Sequence, residues 1–268
     1  MTDILRLEFM RLAATAGLAA AVALSLLGVY VVLKRVVFVG LTLANVATLG
    51  AAIALATSWP VEATAIAAAL AGAAALALVA WPRVIPAESL IGWGFAAASA
   101  LTVLVLARFA SADAEAVRLL FGNVLAITPR EALLMVAVAA AVLLVNALFA
   151  RRFVLVVFDP EAARAAGIHT SVWTVVLYVT MGGATAAAVH ETGALLAFAL
   201  LVLPAMAALL ITRRLTSAFL TSAAIAAGSV LAGLVLSFHF DLPTGPFTVA
   251  LLAAAVAVGG AVRRLARP

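Results

Sequence analysis

The sequence predicts an all-α fold, a polytopic integral membrane helical bundle in which residues 1–268 form one transmembrane domain of about eight or nine spans. Composition is the first observation: 68% of the residues are hydrophobic and only 10% are charged, whereas soluble domains are about half apolar. Second, the apolar residues form blocks of about twenty, the length that crosses a bilayer as a helix. Third, the chain lacks the short alternating segments typical of membrane barrels. An ordinary soluble domain is therefore excluded.

The apolar blocks that are long enough to be spans are separated by polar or charged residues. They run approximately over residues 12–33, 39–57, 62–81, 89–108, 131–150, 171–189, 193–211, 216–237 and 247–262. The first block is too long for the core of a cleavable secretion signal, and its basic pair, Lys34 and Arg35, follows it. We therefore interpret it as a span whose N-terminus faces outward.

The basic residues predict the same orientation. With the N-terminus outside, the inner loops and the C-terminal tail hold eleven of the sixteen Lys and Arg residues, and the outer segments hold five. This excess is the positive-inside pattern. We interpret the net charge of +5 in the same way, as anchoring against membrane lipid and not as binding of nucleic acid. Most acidic residues fall outside, which makes the outer face attractive to cations.

Two further stretches are predicted to lie along the membrane surface. Residues 4–11 alternate apolar and charged side chains, which fits an interfacial helix and equally well a plain flank of the first span. Residues 110–130 include an apolar stretch at 117–127. That stretch is too short and too polar at its flanks for a span, so we expect an interfacial or re-entrant helix on the outer side.

An inner segment, FDPEAARAAG at residues 158–167, predicts a helix of about two turns. Asp159 can cap the N-terminus, Pro160 suits the first turn, Glu161 favours the positive end, and Gly167 can end the helix. A short, well-capped helix between two spans is either a docking site for a partner or a capped connector.

Polar and helix-breaking residues inside the spans mark places of interest. Span two carries Thr42, Asn45 and Thr48, and polar groups at such positions indicate a pathway, a packing seam or a hinge. Gly182 and Pro204 lie inside the sixth and seventh spans. They fit static packing and a moving pathway equally well.

Several function classes are excluded by residues that the sequence lacks. There is no GxxxxGK[ST] phosphate loop, and so no nucleotide site of the usual kind. There is no Ser/His/Asp set and no HExxH helix, so we predict that the chain is not an enzyme. The absence of cysteine excludes thiolate metal sites.

Two residue pairs at the outer ends of spans are the candidate metal ligands. His190 is followed by Glu191, and His239 precedes Asp241 by two residues. Imidazole and carboxylate groups suit zinc or manganese. Adjacent residues on a helix point about 100° apart, so His190 and Glu191 reach one ion only where the helix ends.

Six stretches, in order and at matching spacing, resemble the permease subunits of ABC importers for zinc, manganese and iron. They are residues 26–35, 91–95, 119–127, 158–167, 193–207 and 241–246. The resemblance runs from about residue 9 to residue 263, and so covers nearly the whole chain. It implies the ABC importer permease type of membrane bundle, as a multi-pass protein of the bacterial inner membrane.

The resemblance also implies partners and roles. A permease homodimer with a central path would work with two separate ATPase subunits inside and a solute-binding protein outside. ATP would be used by the partner ATPases, and the permease would hold no permanent cofactor. Residues 158–168 match the cytoplasmic coupling segment of the family, with the candidate contacts Phe158, Asp159, Glu161, Arg164 and Gly167. Span two would line the path through Thr42, Asn45 and Thr48.

This chain departs from the family pattern at two path positions. The family commonly has Asp where Leu41 stands and His where Asn45 stands, four residues apart on one helix face. Leu41 offers no ligand, and Asn45 offers a neutral amide oxygen that suits harder cations. The hypotheses are therefore an importer for a divalent metal, zinc or manganese first, and a related importer for a metal chelate or small solute. A carrier or channel without an ATPase is the third.

Overall fold

The computed structural model describes residues 8–78, 86–109 and 127–265, and every regular element in these ranges is an α-helix. The helices are α1 (Glu8–Leu33), α2 (Phe38–Thr57), α3 (Val61–Leu78), α4 (Ala87–Phe109), α5 (Pro129–Phe158), α6 (Pro160–Ala165), α7 (Thr170–Ile211), α8 (Leu215–Phe240) and α9 (Thr244–Leu265). Within the described ranges, eight of them are long and apolar enough to cross a membrane. The predicted all-α membrane bundle is confirmed.

The 42-residue helix α7 contains a break at Gly193. A straight helix of that length would extend about 63 Å, twice the apolar thickness of a bilayer. Gly193 has φ 81° and ψ 159°, a conformation that only glycine adopts readily. The helix therefore consists of two arms, which correspond to the predicted spans 171–189 and 193–211.

The first arm of α7 begins near one end of the bundle, and the second arm runs back towards that same end. Thr174, early in the first arm, accepts a 3.5 Å hydrogen bond from the Nζ of Lys34. Leu201, in the second arm, lies against Gly28, six residues before Lys34 in the chain. Both arms thus approach the junction between α1 and α2, so the chain direction reverses near Gly193.

The core lies where α7 packs on α1 and α2, the most buried helices of the bundle. Alanine is the commonest buried residue there, as at Ala20, Ala187 and Ala197, which are fully or almost fully buried. Small residues let helices approach closely, and close packing drives helix association in a bilayer. At Gly28, a Cβ atom would lie 1.6 Å from the carbonyl oxygen of Leu201, so the two backbones touch there.

Gly182 and Pro204 lie within the helical arms of α7, whereas the backbone leaves the helical conformation at Gly193. Gly182 packs on the backbone of α3, where an added Cβ would meet the carbonyl oxygen of Ala69 at 2.9 Å. Pro204 is buried within the second arm, and the non-helical angles of α7 occur at Gly193 and not at Pro204. Gly182 is therefore a packing position in this structure.

Basic residues gather at the end of the bundle that was predicted to face inward. Arg152 lies 4.7 Å from the ring of Trp173 at the start of α7. Arg213 and Arg263 line one pocket with Ile211, where α7 ends. Lys34 lies at the same end, beside Thr174. The structure therefore brings the basic residues from distant parts of the chain to one side, as the positive-inside pattern requires.

Three predicted stretches differ from the observed helices or lie partly outside the described residues. The predicted span 131–150 is part of a longer helix, because α5 continues through Arg151 and Arg152 to Phe158. No helix breaker occurs before Asp159 and Pro160, so the helix extends past the bilayer core. The predicted surface helix at 4–11 is described only from Glu8, where it is the first turn of α1. The predicted outer helix at 117–127 lies outside the described residues, except for residue 127.

Lys34 is the only lysine of the sequence, and it sits in the connection between α1 and α2. Its Nζ lies 4.9 Å from the centroid of the Tyr178 ring. Burial disfavours the charged form and lowers the pKa of Lys34 to about 8, against an ordinary value of 10.5. Above that lowered pKa, the residue that anchors this side of the bundle is neutral.

We expect Gly28→Ala to destabilise the bundle. The new Cβ would overlap the Leu201 carbonyl oxygen, and overpacking costs about 1–3 kcal/mol or more. Thermal unfolding in detergent should show a lower Tm and a lower yield of folded protein. Gly228→Ala is the matched control, because a Cβ there meets no atom of the described residues within 4 Å and alanine favours a helix by about 1 kcal/mol. An unchanged Tm for Gly28→Ala would contradict the described contact.

We expect Lys34 to titrate near pH 8. Because the folded protein releases this proton at a lower pH than the unfolded chain does, stability should rise as the pH increases from about 8 towards 10.5. Reductive ¹³C-methylation gives one lysine NMR signal, whose midpoint can be read directly. Lys34→Arg should remove that signal and so assign it. A midpoint near 10.5 would refute the buried environment.

Candidate functional site

Three ionisable side chains from separate helices meet at the outer end of the bundle. Glu62 lies in the first turn of α3, Glu131 in the first turn of α5, and His190 near the end of the first arm of α7. The Nε2 of His190 is 3.5 Å from Glu131 Oε1 and 3.9 Å from Glu62 Oε1. Potential ligand atoms of all three residues lie within 4.8 Å of one another. In the part of the chain that the structure describes, this is the group of acidic and histidine side chains arranged to hold a metal ion.

The carboxylate of Glu131 is fixed by a capping box. Thr128 caps α5: its Oγ1 accepts a hydrogen bond from the backbone N–H of Glu131. In return, Glu131 Oε2 accepts bonds from the backbone N–H of Thr128 at 2.7 Å and from its hydroxyl at 2.8 Å. This reciprocal pattern is a common way to begin a helix. It leaves Oε1 turned towards His190.

Two further charged residues adjoin this group. Arg130 reaches Glu62 at 3.8 Å, but its side chain is 87% exposed, so the ion pair contributes little. Glu191 is only 4% exposed, and its Oε2 makes no hydrogen bond to any residue in the described part of the chain. The charges of Glu131 and Glu62 both act on the Glu191 carboxyl group. Three carboxyl groups therefore share one region at the outer end.

The predicted metal residues are only partly brought together. His190 belongs to the group, whereas the adjacent Glu191 is not one of the residues whose ligand atoms lie within 4.8 Å of one another. Successive residues on a continuous helix diverge by about 100°. His239 and Asp241 are exposed at the end of α8 and are not members of the group. Metal binding by Glu191, His239 or Asp241 stays a prediction.

The polar residues of α2 make different contacts. Thr42 is buried and donates a 2.8 Å hydrogen bond to the carbonyl oxygen of Ile91 in α4, which makes it part of a packing seam. Thr48 is buried and bonds to the carbonyl oxygen of Ala44 in its own helix. Both hydroxyls are satisfied within the chain. Their role in lining a path stays a prediction.

Asn45 is half-buried and connects α2 with α4. Its amide oxygen accepts a 2.9 Å hydrogen bond from the hydroxyl of Ser99, and its amide nitrogen donates to the carbonyl oxygen of Leu41. An amide oxygen has two lone pairs, so one acceptor position remains for another ligand. Asn45 is thus a half-buried polar residue of α2 whose amide oxygen retains an acceptor position.

The inner segment folds as predicted. Asp159 caps α6 by accepting hydrogen bonds from the backbone N–H groups of Glu161 and Ala162, at 3.2 and 2.9 Å. Pro160 is the first residue of the helix. Gly167 ends it with φ +76°, and the backbone bonds Gly167 N–H to Arg164 and Ile168 N–H to Ala163 form a Schellman motif.

The surface around α6 is exposed at the inner end of the bundle. Phe158 is 57% exposed and Val172 is 55% exposed. Arg164 donates to the carbonyl oxygen of Pro160, and it lines a shallow pocket with Gly167 and Val172. A rigid helix with apolar and charged side chains around it is a suitable contact surface. Its role in coupling stays a prediction.

Three of these residues were not predicted from the sequence as site residues: Glu62, Glu131 and Ser99. One signal was present: TPRE at 128–131 fits a capping box and predicts a fixed carboxylate. Glu62 and Ser99 carry no such pattern. Their roles depend on which helices are neighbours, and the sequence does not give that information.

Comparison with known proteins identifies the family. The model of the ABC 3 transport family matches residues 6–263. The "Manganese transport system membrane protein MntC" of Halalkalibacterium halodurans is 27% identical over 213 residues, which are 80% of this chain and 73% of that protein. A "Probable iron transport system membrane protein" of Haemophilus influenzae is 30% identical over 137 residues, 51% of this chain and 50% of that protein.

A solved structure has the same fold. "PsaBC from Streptococcus pneumoniae in complex with Fab" superposes with a TM-score of 0.85 at 22% sequence identity, and the match covers 96% of this chain and 93% of that chain. At this identity, the comparison supports the fold alone. The match to the family model covers nearly all of the sequence. This chain therefore belongs to the ABC 3 transport family, as a multi-pass transport protein of the bacterial inner membrane.

Proposed function

We propose that this chain is the permease subunit of an ABC importer that moves a divalent metal ion, with manganese as the first candidate. The observation that carries the proposal is the match of the ABC 3 transport family over residues 6–263, together with relatives named for manganese transport. The orientation fits import: acidic groups meet at the outer end, and the basic residues and the capped helix α6 lie at the inner end.

The proposed importer divides its work among subunits. Separate ATPases would dock at residues 158–168 and use the ATP, while the permease has no nucleotide site and holds no permanent cofactor. An external solute-binding protein would deliver the ion. The permease would act as a homodimer around a central path. These partners follow from the family resemblance, and the exposed, rigid α6 supports the docking position.

Asn45 is the proposed contact between the path and the ion. Ser99 holds the amide group in place and leaves one lone pair of its oxygen available. A neutral oxygen ligand suits manganese better than zinc, which prefers nitrogen and sulfur. Leu41 adds no ligand, so binding there would be weak and release would be fast.

Other cargo is less well supported. The curated relatives reported above are named for manganese and iron, and none of these names specifies a chelate. Leu41 and Asn45 remain the observation that favours a chelate or a small solute. A carrier or channel without an ATPase would need a relay of ionisable groups across the bilayer. In the described spans, the ionisable groups that meet lie at the ends.

We expect ATP-dependent uptake of ⁵⁴Mn²⁺ by proteoliposomes that contain this permease, its cognate ATPase and binding protein. Asn45→Ala should lower uptake roughly tenfold, as expected from losing about 1.4 kcal/mol of interaction with the ion. Thr57→Ala is the matched control in α2, because Thr57 is exposed and its hydroxyl donates to the carbonyl oxygen of Ile53 in the same helix.

Three results, two from the uptake assay and one from the binding protein, would count against parts of the proposal. Uptake that continues with an ATPase unable to hydrolyse ATP would refute an ABC importer and favour a carrier or channel. Retention of a small molecule but no free metal by the binding protein would favour a chelate. Equal uptake by wild type and Asn45→Ala would remove Asn45 from the mechanism.

We expect Asp159→Ala to weaken coupling to the ATPase. The substitution removes both capping hydrogen bonds, at a cost of about 1 kcal/mol to helix α6. Permease-stimulated ATP hydrolysis in nanodiscs should fall, while the Tm of the bundle stays nearly constant. Asp159→Asn should retain most of the stimulation, because asparagine is an equally good cap. Full stimulation by Asp159→Ala would mean that a rigid α6 is not required.

A further inference from the structure

We propose that Glu62, Glu131 and His190 form a divalent-cation site at the outer end of the bundle, where a metal ion binds before it enters the path. This inference deepens the proposed function and rests on it for the direction of transport. It is independent of the positions in α2 where the family commonly has its Asp and His. The binding step itself can be tested without transport.

The geometry of the three side chains fits a small ion. Oxygen and nitrogen ligands bind zinc at about 2.0–2.2 Å, so ligands that share such an ion lie about 3 to 4 Å apart. The distances from His190 Nε2 to Glu131 and Glu62 are 3.5 and 3.9 Å. Since the ligand atoms of all three residues are within 4.8 Å of one another, a small movement of one carboxylate would complete the set.

The site is partly preorganised. The hydrogen bonds from Thr128 hold Glu131 Oε2, so Oε1 is already directed at His190. Each of the three residues is half-buried, with side chains 22–30% exposed, and an ion can therefore reach them from outside. Ligands that are fixed before binding lose less entropy when the ion arrives.

Glu191 provides the second, independent indication of a cation. Its exposure is only 4%, and its Oε2 has no hydrogen-bond partner among the described residues. Burial removes its carboxyl group from water, and the negative charges of Glu131 and Glu62 also act on that group. A buried carboxyl group near two other carboxylates is costly, and a divalent cation on the neighbouring residues would lower that cost. The exposed Arg130 supplies little compensation.

The ligand set indicates which cations bind. Two carboxylates favour Mn²⁺, and one imidazole also accommodates Fe²⁺ and Zn²⁺. The absence of cysteine removes the ligand that would strongly favour zinc. The set thus matches the cargo proposed from the family, with Mn²⁺ as the probe of choice.

The position of the site connects metal binding to the shape of the bundle. The three residues come from α3, α5 and the first arm of α7, and His190 is three residues from the break at Gly193. A bound ion would join these helices at their outer ends. Metal binding should therefore raise the Tm of the protein, since a ligand of the folded state stabilises it.

The alternative is an ion-pair cluster in which a protonated His190 lies between the carboxylates. Such a cluster would need no metal, and added metal would change neither the Tm nor any spectroscopic signal. The two models therefore predict different results for the same purified protein.

The test is Mn²⁺ binding to the full-length permease in nanodiscs, without ATPase or binding protein. Loss of the EPR signal of free Mn²⁺ gives the Kd, and the Tm is measured in parallel. We expect one site in the wild type. Glu62→Gln and His190→Gln should each raise Kd at least tenfold and remove the Tm increase, and the double variant should show no binding. Glu131→Gln keeps the capping box and should also weaken binding.

Matched controls make the same chemical changes at the inner end. Glu88→Gln and His169→Gln alter exposed residues and should leave the Kd within twofold. No binding by the wild type would overturn the site, as would a Kd that is unchanged in the Glu62→Gln and His190→Gln double variant. An increase in Kd for Asp241→Asn equal to that for Glu62→Gln would also overturn the site, because general attraction of Mn²⁺ by the acidic outer face would then explain binding.

Failure of the metal site and failure of the proposed importer give different experimental results. Binding that depends on Glu62 and His190, with no ATP-dependent uptake, would retain the site and refute the importer. ATP-dependent uptake of Mn²⁺ that is unaffected by Glu62→Gln and His190→Gln, with no binding to the isolated permease, would retain the importer and refute the site.

Discussion

The reversal of α7 at Gly193 is the constraint on which the rest of the structure depends. Because glycine adopts the backbone angles of this break at little cost, two apolar arms of one helix can both lie in the centre of the bundle. The second arm then contacts α1 at Gly28, where the backbones touch. The first arm ends with His190 and Glu191 at the outer face. One residue therefore sets both the central packing and the position of the outer ionisable group.

Charge is distributed so that each end of the bundle has a different chemistry. Basic residues from separate parts of the chain gather inside, where the partly buried Lys34 and the ring-stacked Arg152 are held by α7. Carboxylates from the first turns of α3 and α5 gather outside. The low dielectric of a bilayer penalises charge in its interior, so the described spans place their ionisable groups near the ends. The result suits a protein that accepts cations from outside and contacts a partner inside.

Particular residues show how far sequence patterns reach. The capped helix at 158–167 was predictable because Asp159, Pro160 and Gly167 act on their own backbone. The break at Gly193 was implied only by the gap between two predicted spans, whereas the predicted sites of packing or movement in this region were Gly182 and Pro204. Two contacts were not predictable: the hydrogen bond of Ser99 with Asn45 and the approach of Glu62 to His190. Those contacts join helices that are far apart in the chain.

The sequence by itself determined the membrane class, the approximate spans, their orientation and the family, because hydrophobic length and the distribution of Lys and Arg act locally on insertion into a bilayer. It also determined the local caps. Only the tertiary structure decided which helix faces meet, and so which polar residues share a site. In a chain whose helices are apolar on nearly every side, alanine and glycine allow many packings with similar hydrophobicity. The choice depends on shape, such as the contact of Leu201 with Gly28, and no linear pattern records it.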